Sequence, residues 1–294
     1  MTVRGVARAL YVLQYGAERV PKTLSVPGLE TADGTQLGWE PLIGVLVDTE
    51  DGWVLFDTGM SRATHDDPAT DRAYAGPDPR AYPDVATTWH LHPRPPDPAR
   101  WTWGRPGEPV QHALAELGLE PSDISLAVLS HLHWDHSGGV GALTDAGVEV
   151  LIHCEELAFA RSGDALASEG FAQADWGNPK TRWAQMTRTD ELVVAPGVTV
   201  LATPGHTPGH LSLRVDLRQT GTWLFTADAA DLGQNLLEGR PCGSCTGGGA
   251  QARERSVASL RRLFEVAAGT GARLVPGHDQ VVTTAVRAPP GGHR

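Results

Sequence analysis

Cysteine is scarce in this chain. Three residues, Cys154, Cys242 and Cys245, stand among 294, too few for a disulfide framework, and their scarcity fits a reducing compartment. Long apolar runs are missing as well. No stretch approaches the roughly eighteen uninterrupted apolar residues of a membrane span, and Met1 to Val20 has neither an apolar core flanked by a basic start nor a small-residue cleavage signature. The expectation is a cytoplasmic protein with no membrane partner. Basic clusters are absent: Lys and Arg total 24 against 35 Asp and Glu, a formal charge of −11. Such a field repels phosphate backbones, so nucleic acid is not an expected partner. No Gly-x-Ser-x-Gly elbow occurs, which removes the usual serine-hydrolase signature. Internal repeats and solvated linkers are also lacking, so one domain over residues 1–294 is expected.

What remains has the composition of a packed globular protein, 40% hydrophobic and 20% charged. Short segments rich in β-branched and apolar residues predict strands at Ala9 to Leu13, Ile43 to Asp48, Trp53 to Asp57, Ile124 to Ser130 and Val148 to His153. Four more follow at Val198 to Thr203, Leu211 to Asp216, Thr222 to Thr226 and Arg273 to Pro276. Helical spacing predicts helices at Val110 to Leu117, Gly139 to Ala146, Glu155 to Ala160 and Gln251 to Ala268. In the last, Val257, Leu260, Leu263 and Phe264 are expected on one face. Alternating strands and helices imply a layered α/β fold. Residues 62–106 read as an irregular insertion covering a site, and the tail 288–294 as frayed.

The chemistry concentrates in Ser130-His131-Leu132-His133-Trp134-Asp135-His136, directly after a predicted strand. Imidazole nitrogen and carboxylate oxygen are the ligands of a borderline cation such as Zn²⁺. A strand-end loop lets His131 and His133 point one way while Asp135 and His136 turn another, which suits two adjacent metals. Further ligand types close other predicted strands: His206 in Thr203-Pro204-Gly205-His206, Asp228 after Leu224-Phe225-Thr226-Ala227, and His278 in Val275-Pro276-Gly277-His278. A metal pair needs a bridging oxygen ligand, and Asp228 is the strand-end Asp left to provide it.

With these motifs the chain resembles the metallo-β-lactamase superfamily and, within it, the N-acyl-homoserine lactonases. The likeness rests on Leu55-Phe56-Asp57-Thr58-Gly59-Met60, the His motif with Pro121-Ser122-Asp123 ahead of it, Thr203-Pro204-Gly205-His206 with Pro208-Gly209-His210, and Gly277-His278-Asp279. It implies an αββα sandwich. It also implies that His131, His133 and His206 hold one Zn²⁺, that Asp135, His136 and His278 hold the other, and that Asp228 bridges. Asp57 and His210 recur in the pattern and are expected to orient ligands by hydrogen bonds. The implied reaction is lactone opening by attack of a metal-bridging hydroxide, with Asp135 or Asp228 accepting the proton. Hydrolysis of another ester, a thioester or a β-lactam on the same site is the alternative. A homodimer is left open.

One position departs from the pattern. The resemblance places a tyrosine three residues after the bridging Asp, where its hydroxyl assists the substrate carbonyl or leaving group, but Asp231 stands here. An ionised carboxylate cannot do that work, so Asp231 either turns away, repels the reacting oxygen, or binds a polar or cationic part of a different substrate. Trp134, with Trp89, Trp101 and Trp103 from the insertion, is expected to line an acyl pocket. Cys242 and Cys245 have the C-x-x-C spacing of a redox pair or half a zinc site, but no second cysteine pair exists to complete the latter, and the thiols are expected to be inert.

Overall fold

Side chains alternate across a strand with a period of two, and here each central strand sends alternate residues into two different apolar layers. The computed structural model describes residues 5–28, 37–67, 100–166, 170–247, 249–287 and 289–294. Twelve strands lie among them: β1 (Ala9–Pro21), β2 (Leu37–Thr49), β3 (Gly52–Phe56), β4 (Thr102–Gly104), β5 (Ile124–Val128), β6 (Glu149–His153), β7 (Arg182–Met186), β8 (Glu191–Ala195), β9 (Val198–Ala202), β10 (Leu211–Leu217), β11 (Gly221–Phe225) and β12 (Arg273–Val275). They form a seven-stranded sheet in the order β4-β1-β2-β3-β5-β6-β7 and a five-stranded sheet in the order β12-β11-β10-β9-β8.

Val45 and Val47 of β2, Val54 and Phe56 of β3, and Val128 of β5 meet Val198 and Val200 of β9, Leu213 and Val215 of β10, and Phe225 of β11. That layer joins the two sheets. Leu46 of β2 and Leu55 of β3 face the other way, onto helices Pro109–Ala115, Val140–Asp145 and Cys154–Ala160. Leu201 and Leu224 face outward from the second sheet and meet Leu263 of helix Gly249–Thr270. Helix, sheet, sheet and helix are therefore stacked in the αββα order. No helix among the described residues is long and apolar enough to cross a membrane.

All nine expected strands are present. The three the sequence did not announce, β4, β7 and β8, are sheet edges. β7 and β8 are half-buried or exposed along most of their length and so lack an apolar run; β4 has only three residues. β1 and β2 are longer than expected because they pair antiparallel from Ala9↔Asp48 to Pro21↔Leu37. In helix Gly249–Thr270 the buried face is Ala252, Ser256, Ser259, Leu260 and Leu263, whereas Val257 is exposed. The buried side admits serines because this helix runs against the loop at Gly205, where a Cβ would lie 2.3 Å from Ser256 N.

Two further expectations are corrected. The insertion is not irregular throughout: helix Arg62–Asp66 and β4 lie within it, although 68–99 fall outside the described residues. The tail is pinned rather than frayed. Leu10 and His293 exchange backbone hydrogen bonds of 2.9 Å, Arg294 O accepts from Gln219 N and Thr220 N, and the His293 ring lies 4.7 Å from that of Trp223.

Leu213 is fully buried in the layer between the sheets. Leu213→Ala is expected to cost about 2–5 kcal/mol of unfolding free energy in a denaturant titration, whereas Leu237→Ala, at a residue 89% exposed, is expected to change it by no more than about 0.5 kcal/mol.

Candidate metal centre

Strands β3, β5, β9, β11 and β12 all release the chain at one edge of the sandwich, and each release carries a polar residue. Asp57 follows β3, His131 follows β5, His206 follows β9, Asp228 follows β11 and His278 follows β12. The backbone is unusual at two of these exits. Asp57 has φ 59° and Ala227 has φ 45°, a left-handed conformation that non-glycine residues adopt at a cost. The left-handed turn at Asp57 is held from several sides: Asp57 Oδ1 accepts from Ser130 N at 2.7 Å, Oδ2 faces His136 Nδ1 at 2.9 Å, and Tyr15 donates its hydroxyl to Asp57 O.

Most of the imidazoles use one nitrogen outward and leave the other facing inward. His136 Nδ1 donates to Asp57 Oδ2, His206 Nδ1 to Ser244 O at 3.2 Å, and His278 Nδ1 to Pro41 O at 3.1 Å. His131 Nδ1 meets Ser130 Oγ at 2.9 Å. These partners place the proton on Nδ1 and turn each Nε2 lone pair toward the centre. His131 Nε2 and His206 Nε2 each lie 2.9 Å from His133 Nδ1, and His133 Nε2 has no hydrogen-bond partner. Beside this trio, His136 Nε2 lies 3.1 Å from Asp135 Oδ2 and 3.3 Å from His278 Nε2.

Asp228 stands between the two groups and divides its oxygens. Oδ1 is 3.0 Å from His136 Nε2 and 3.1 Å from His278 Nε2, while Oδ2 is 3.3 Å from His206 Nε2 and 3.9 Å from His131 Nε2. Donor atoms within each group lie within 4.8 Å of one another. His210 also approaches, but its Nε2 accepts a hydrogen bond from Asp228 N at 3.1 Å and its Nδ1 is held by Thr203. It therefore fixes the backbone of Asp228 and has no nitrogen left to coordinate. The structure thus brings together all seven ligand types proposed from the sequence and sets Asp57 and His210 directly behind them.

Charge is distributed unevenly across the centre. Burial depresses His131, His133 and His206, His133 to about 3, so this trio is neutral and able to coordinate. Burial also works against charge on His136 and His278, yet Asp135, Asp228 and Asp57 around the first, and Asp228 and Glu40 around the second, hold both well above the usual imidazole value. Asp228 is itself held well below the carboxylate range by His136, His278, His206 and His131, against its own burial. Converging lone pairs on one side and carboxylates that draw positive charge onto neighbouring rings on the other are what buried cations satisfy. The donor set fits two divalent ions.

Several groups escaped the sequence reading. Glu156 is fully buried beneath the motif, accepts from Leu132 N at 3.1 Å and Gly209 N at 3.0 Å, and is pushed up to about 7 by burial. It ties the loop carrying His131 and His133 to the loop carrying His206 and His210. Nothing in the sequence separates it from an ordinary acid in a first helical turn. Glu40, also pushed to about 7 by burial, accepts from Ser25 Oγ and joins Glu18 and Asp231 around a cavity of about 200 Å³ above the centre. Asp231 Oδ1 is buried without a partner, and burial, with Asp228 and Glu40 nearby, holds its carboxyl well above the usual range. Trp134 lines the same cavity.

Trp101 and Trp103 do not line it. They lie at and beside β4, where Trp103 packs with Ala17 and Trp39, because the pairing of β4 with β1 carries them to the sheet edge. Trp89 lies outside the described residues. A larger cleft, about 370 Å³ between β1 and the C-terminal segment, holds no His–Asp cluster among the described residues.

Known proteins share this arrangement of chain. The chain is 30% identical over 195 residues to the N-acyl homoserine lactonase AttM of Azorhizobium caulinodans, covering 65% of this chain and 72% of that protein. To the N-acyl homoserine lactonase AiiA of Bacillus thuringiensis subsp. kurstaki it is 31% identical over 170 residues, covering 58% and 62%. Among solved structures, an N-acyl homoserine lactone hydrolase with the product N-hexanoyl-L-homoserine bound at its catalytic metal center superposes with a TM-score of 0.72 at 25% identity. That match covers 93% of this chain and 94% of the other. The profile of the metallo-beta-lactamase superfamily matches residues 44–278, a span that runs from β2 to the last histidine of the centre. With the sandwich and the His–Asp cluster at its edge, that match makes the chain a member of the metallo-beta-lactamase superfamily.

Proposed function

We propose that this protein is a binuclear zinc hydrolase that opens lactones, with N-acyl-homoserine lactones as the substrate class. The observation that carries the reading is Asp228, whose two carboxylate oxygens serve different groups of donors. His131, His133 and His206 would hold one ion, Asp135, His136 and His278 the other, and Asp228 would touch both. Nitrogen-rich donors with carboxylate favour zinc over hard cations such as magnesium. The relatives and the product-bound structure named above support the substrate class.

Bound divalent cations supply Lewis acidity and lower the pKa of water toward neutrality. The chain does the rest. Asp57 and Pro41 O fix the rings of His136 and His278, and His210 fixes the backbone of Asp228. Asp135, which lines the cavity, would take the proton released when water adds to the carbonyl carbon. Trp134 offers an apolar ring to the acyl part. Asp231 lines the same cavity as Glu40 and would meet a polar or cationic part of the substrate.

Elemental analysis after zinc saturation is expected to find two ions per chain; at most one would overturn the reading. Asp228→Ala is expected to lower lactone kcat/KM by more than about 100-fold, beyond the upper end for losing a residue that merely orients a ligand, with zinc content falling in the same protein.

Asp231 gives a second test. Asp231→Asn and Asp231→Tyr are expected to lower kcat/KM on lactones bearing a polar or cationic substituent more than on N-hexanoyl-homoserine lactone. A rise on both substrates would instead make Asp231 an anion that repels the reacting oxygen.

A further inference from the structure

The thiols Cys242 and Cys245 are not needed for any step above, yet the structure places them against the candidate centre. Their sulfurs are 3.9 Å apart, in a segment that follows helix Gly233–Glu238 and leads into helix Gly249–Thr270. Between them Ser244 supplies both contacts to the outer nitrogen of His206: its carbonyl oxygen and its hydroxyl each lie 3.2 Å from Nδ1. One residue beyond the pair, Thr246 N donates to His206 O at 2.6 Å. Ser244 and Thr246 also line the cavity above the centre. The C-x-x-C segment is the cradle of one proposed metal ligand.

The two thiols differ in the way a reactive pair requires. Cys242 is fully buried, with its sulfur 3.0 Å from Ser244 O and 3.2 Å from Ser256 Oγ. Cys245 is only part-buried and so can be reached from solvent. A hydrogen bond from Cys242, with the Arg253 guanidinium nearby, draws the Cys245 thiol down to about 7, where a large fraction is thiolate and nucleophilic. An accessible thiolate with a buried thiol in contact is the layout of an attacking and a resolving cysteine.

We propose that Cys242 and Cys245 are a redox modification site, closing to a disulfide under hydroperoxide and thereby loosening the hold of His206 on its metal. Cys245 sulfur, as thiolate, attacks one peroxide oxygen; an S–O bond forms, the O–O bond breaks, and hydroxide leaves. Cys242 sulfur then attacks the sulfenic sulfur; the S–S bond forms, the S–O bond breaks, and the departing oxygen takes the Cys242 proton away as water. Two thiols lose two electrons and the peroxide is reduced. A dithiol reverses the change by exchange.

The coupling to the centre follows from what is fixed. A disulfide needs its sulfurs at about 2.05 Å, so they must close by about 1.9 Å from 3.9 Å. The first half of the segment cannot give. Gly243 N donates to Ser25 O at 3.0 Å, Ser244 N to Leu24 O at 2.6 Å, and Arg253 holds the carbonyls of Cys242 and Gly243. A Cβ on Gly243 would lie 2.1 Å from Thr23 O, so the backbone there is already flush against its neighbour. The movement therefore falls on Cys245 and Thr246, and through Thr246 N on the loop that carries His206. This consequence for the metal rests on the binuclear reading; formation of the disulfide does not.

The test uses the zinc-loaded full-length protein with and without hydrogen peroxide, followed by dithiothreitol. Intact mass is expected to fall by two hydrogens, with loss of two of the three titratable thiols. Both should map to one tryptic peptide, since no Lys or Arg lies between the two cysteines. Zinc affinity measured with a chromophoric chelator is expected to drop about 10–100-fold, as for loss of a group that orients a ligand, and to recover with dithiothreitol. Cys245→Ser is expected to form no disulfide and to hold zinc equally before and after peroxide. Oxidation of wild-type Cys245 only to sulfinic acid, with no disulfide, would overturn the proposal. So would a disulfide that leaves zinc affinity unchanged. A protein that shows the disulfide and the zinc response but opens no lactone in either state would refute the lactonase reading alone.

Discussion

Everything at the edge of this sandwich is arranged around one carboxylate. Asp228 faces His136 and His278 with one oxygen and His206 and His131 with the other, so its position fixes the relation between the two donor groups. That position is set by the backbone. Ala227 holds a left-handed conformation, Asp228 N is bound to His210, and a Cβ at Gly277 would lie 2.8 Å from Ala227 O. The strained turn persists because the surroundings leave the chain no other path. A shift of Asp228 toward either group would withdraw it from the other.

The sandwich supplies the rigidity this needs. Five strand ends from two sheets must meet at one edge, and they can do so only because the apolar layer between the sheets locks their register. Polar residues then continue the core behind the centre: Asp57 takes Ser130 N and His136, Glu156 takes Leu132 N and Gly209 N, and Thr203 holds His210. Each residue behind the centre satisfies a backbone or ring nitrogen that burial would otherwise leave unpaired. Structural and functional roles are therefore not separable at Asp57 or Glu156.

Cavity and centre differ in chemical character. The centre is a convergence of imidazoles, whereas the cavity wall above it carries Glu18, Glu40 and Asp231. The carboxyls of Glu40 and Asp231 are both held above their ordinary range by burial. Asp231, at the position where the resemblance implied a tyrosine, belongs to this acidic wall. Ser244 and Thr246 line the same cavity and both contact His206, so the C-x-x-C segment is tied to the centre as well as to the cavity.

The sequence by itself determined the eight inner strands and the edge strand β12, the principal helices and the full set of clustered His and Asp residues. Inner strands must be apolar, and a ligand needs a particular side chain at a strand end, so both leave marks in residue identity and spacing. Edge strands β4, β7 and β8, the pinned tail and the buried face of helix Gly249–Thr270 left weaker marks, because pairing partners and neighbouring loops decide them. Only the tertiary structure decided that His210 acts through the backbone of Asp228, that Trp101 and Trp103 belong to a sheet edge, and that Glu156, Glu40 and the C-x-x-C pair adjoin the centre. Those roles depend on which residues distant in sequence come within a few ångströms, and a buried glutamate or a pair of thiols looks the same in sequence wherever the fold puts it.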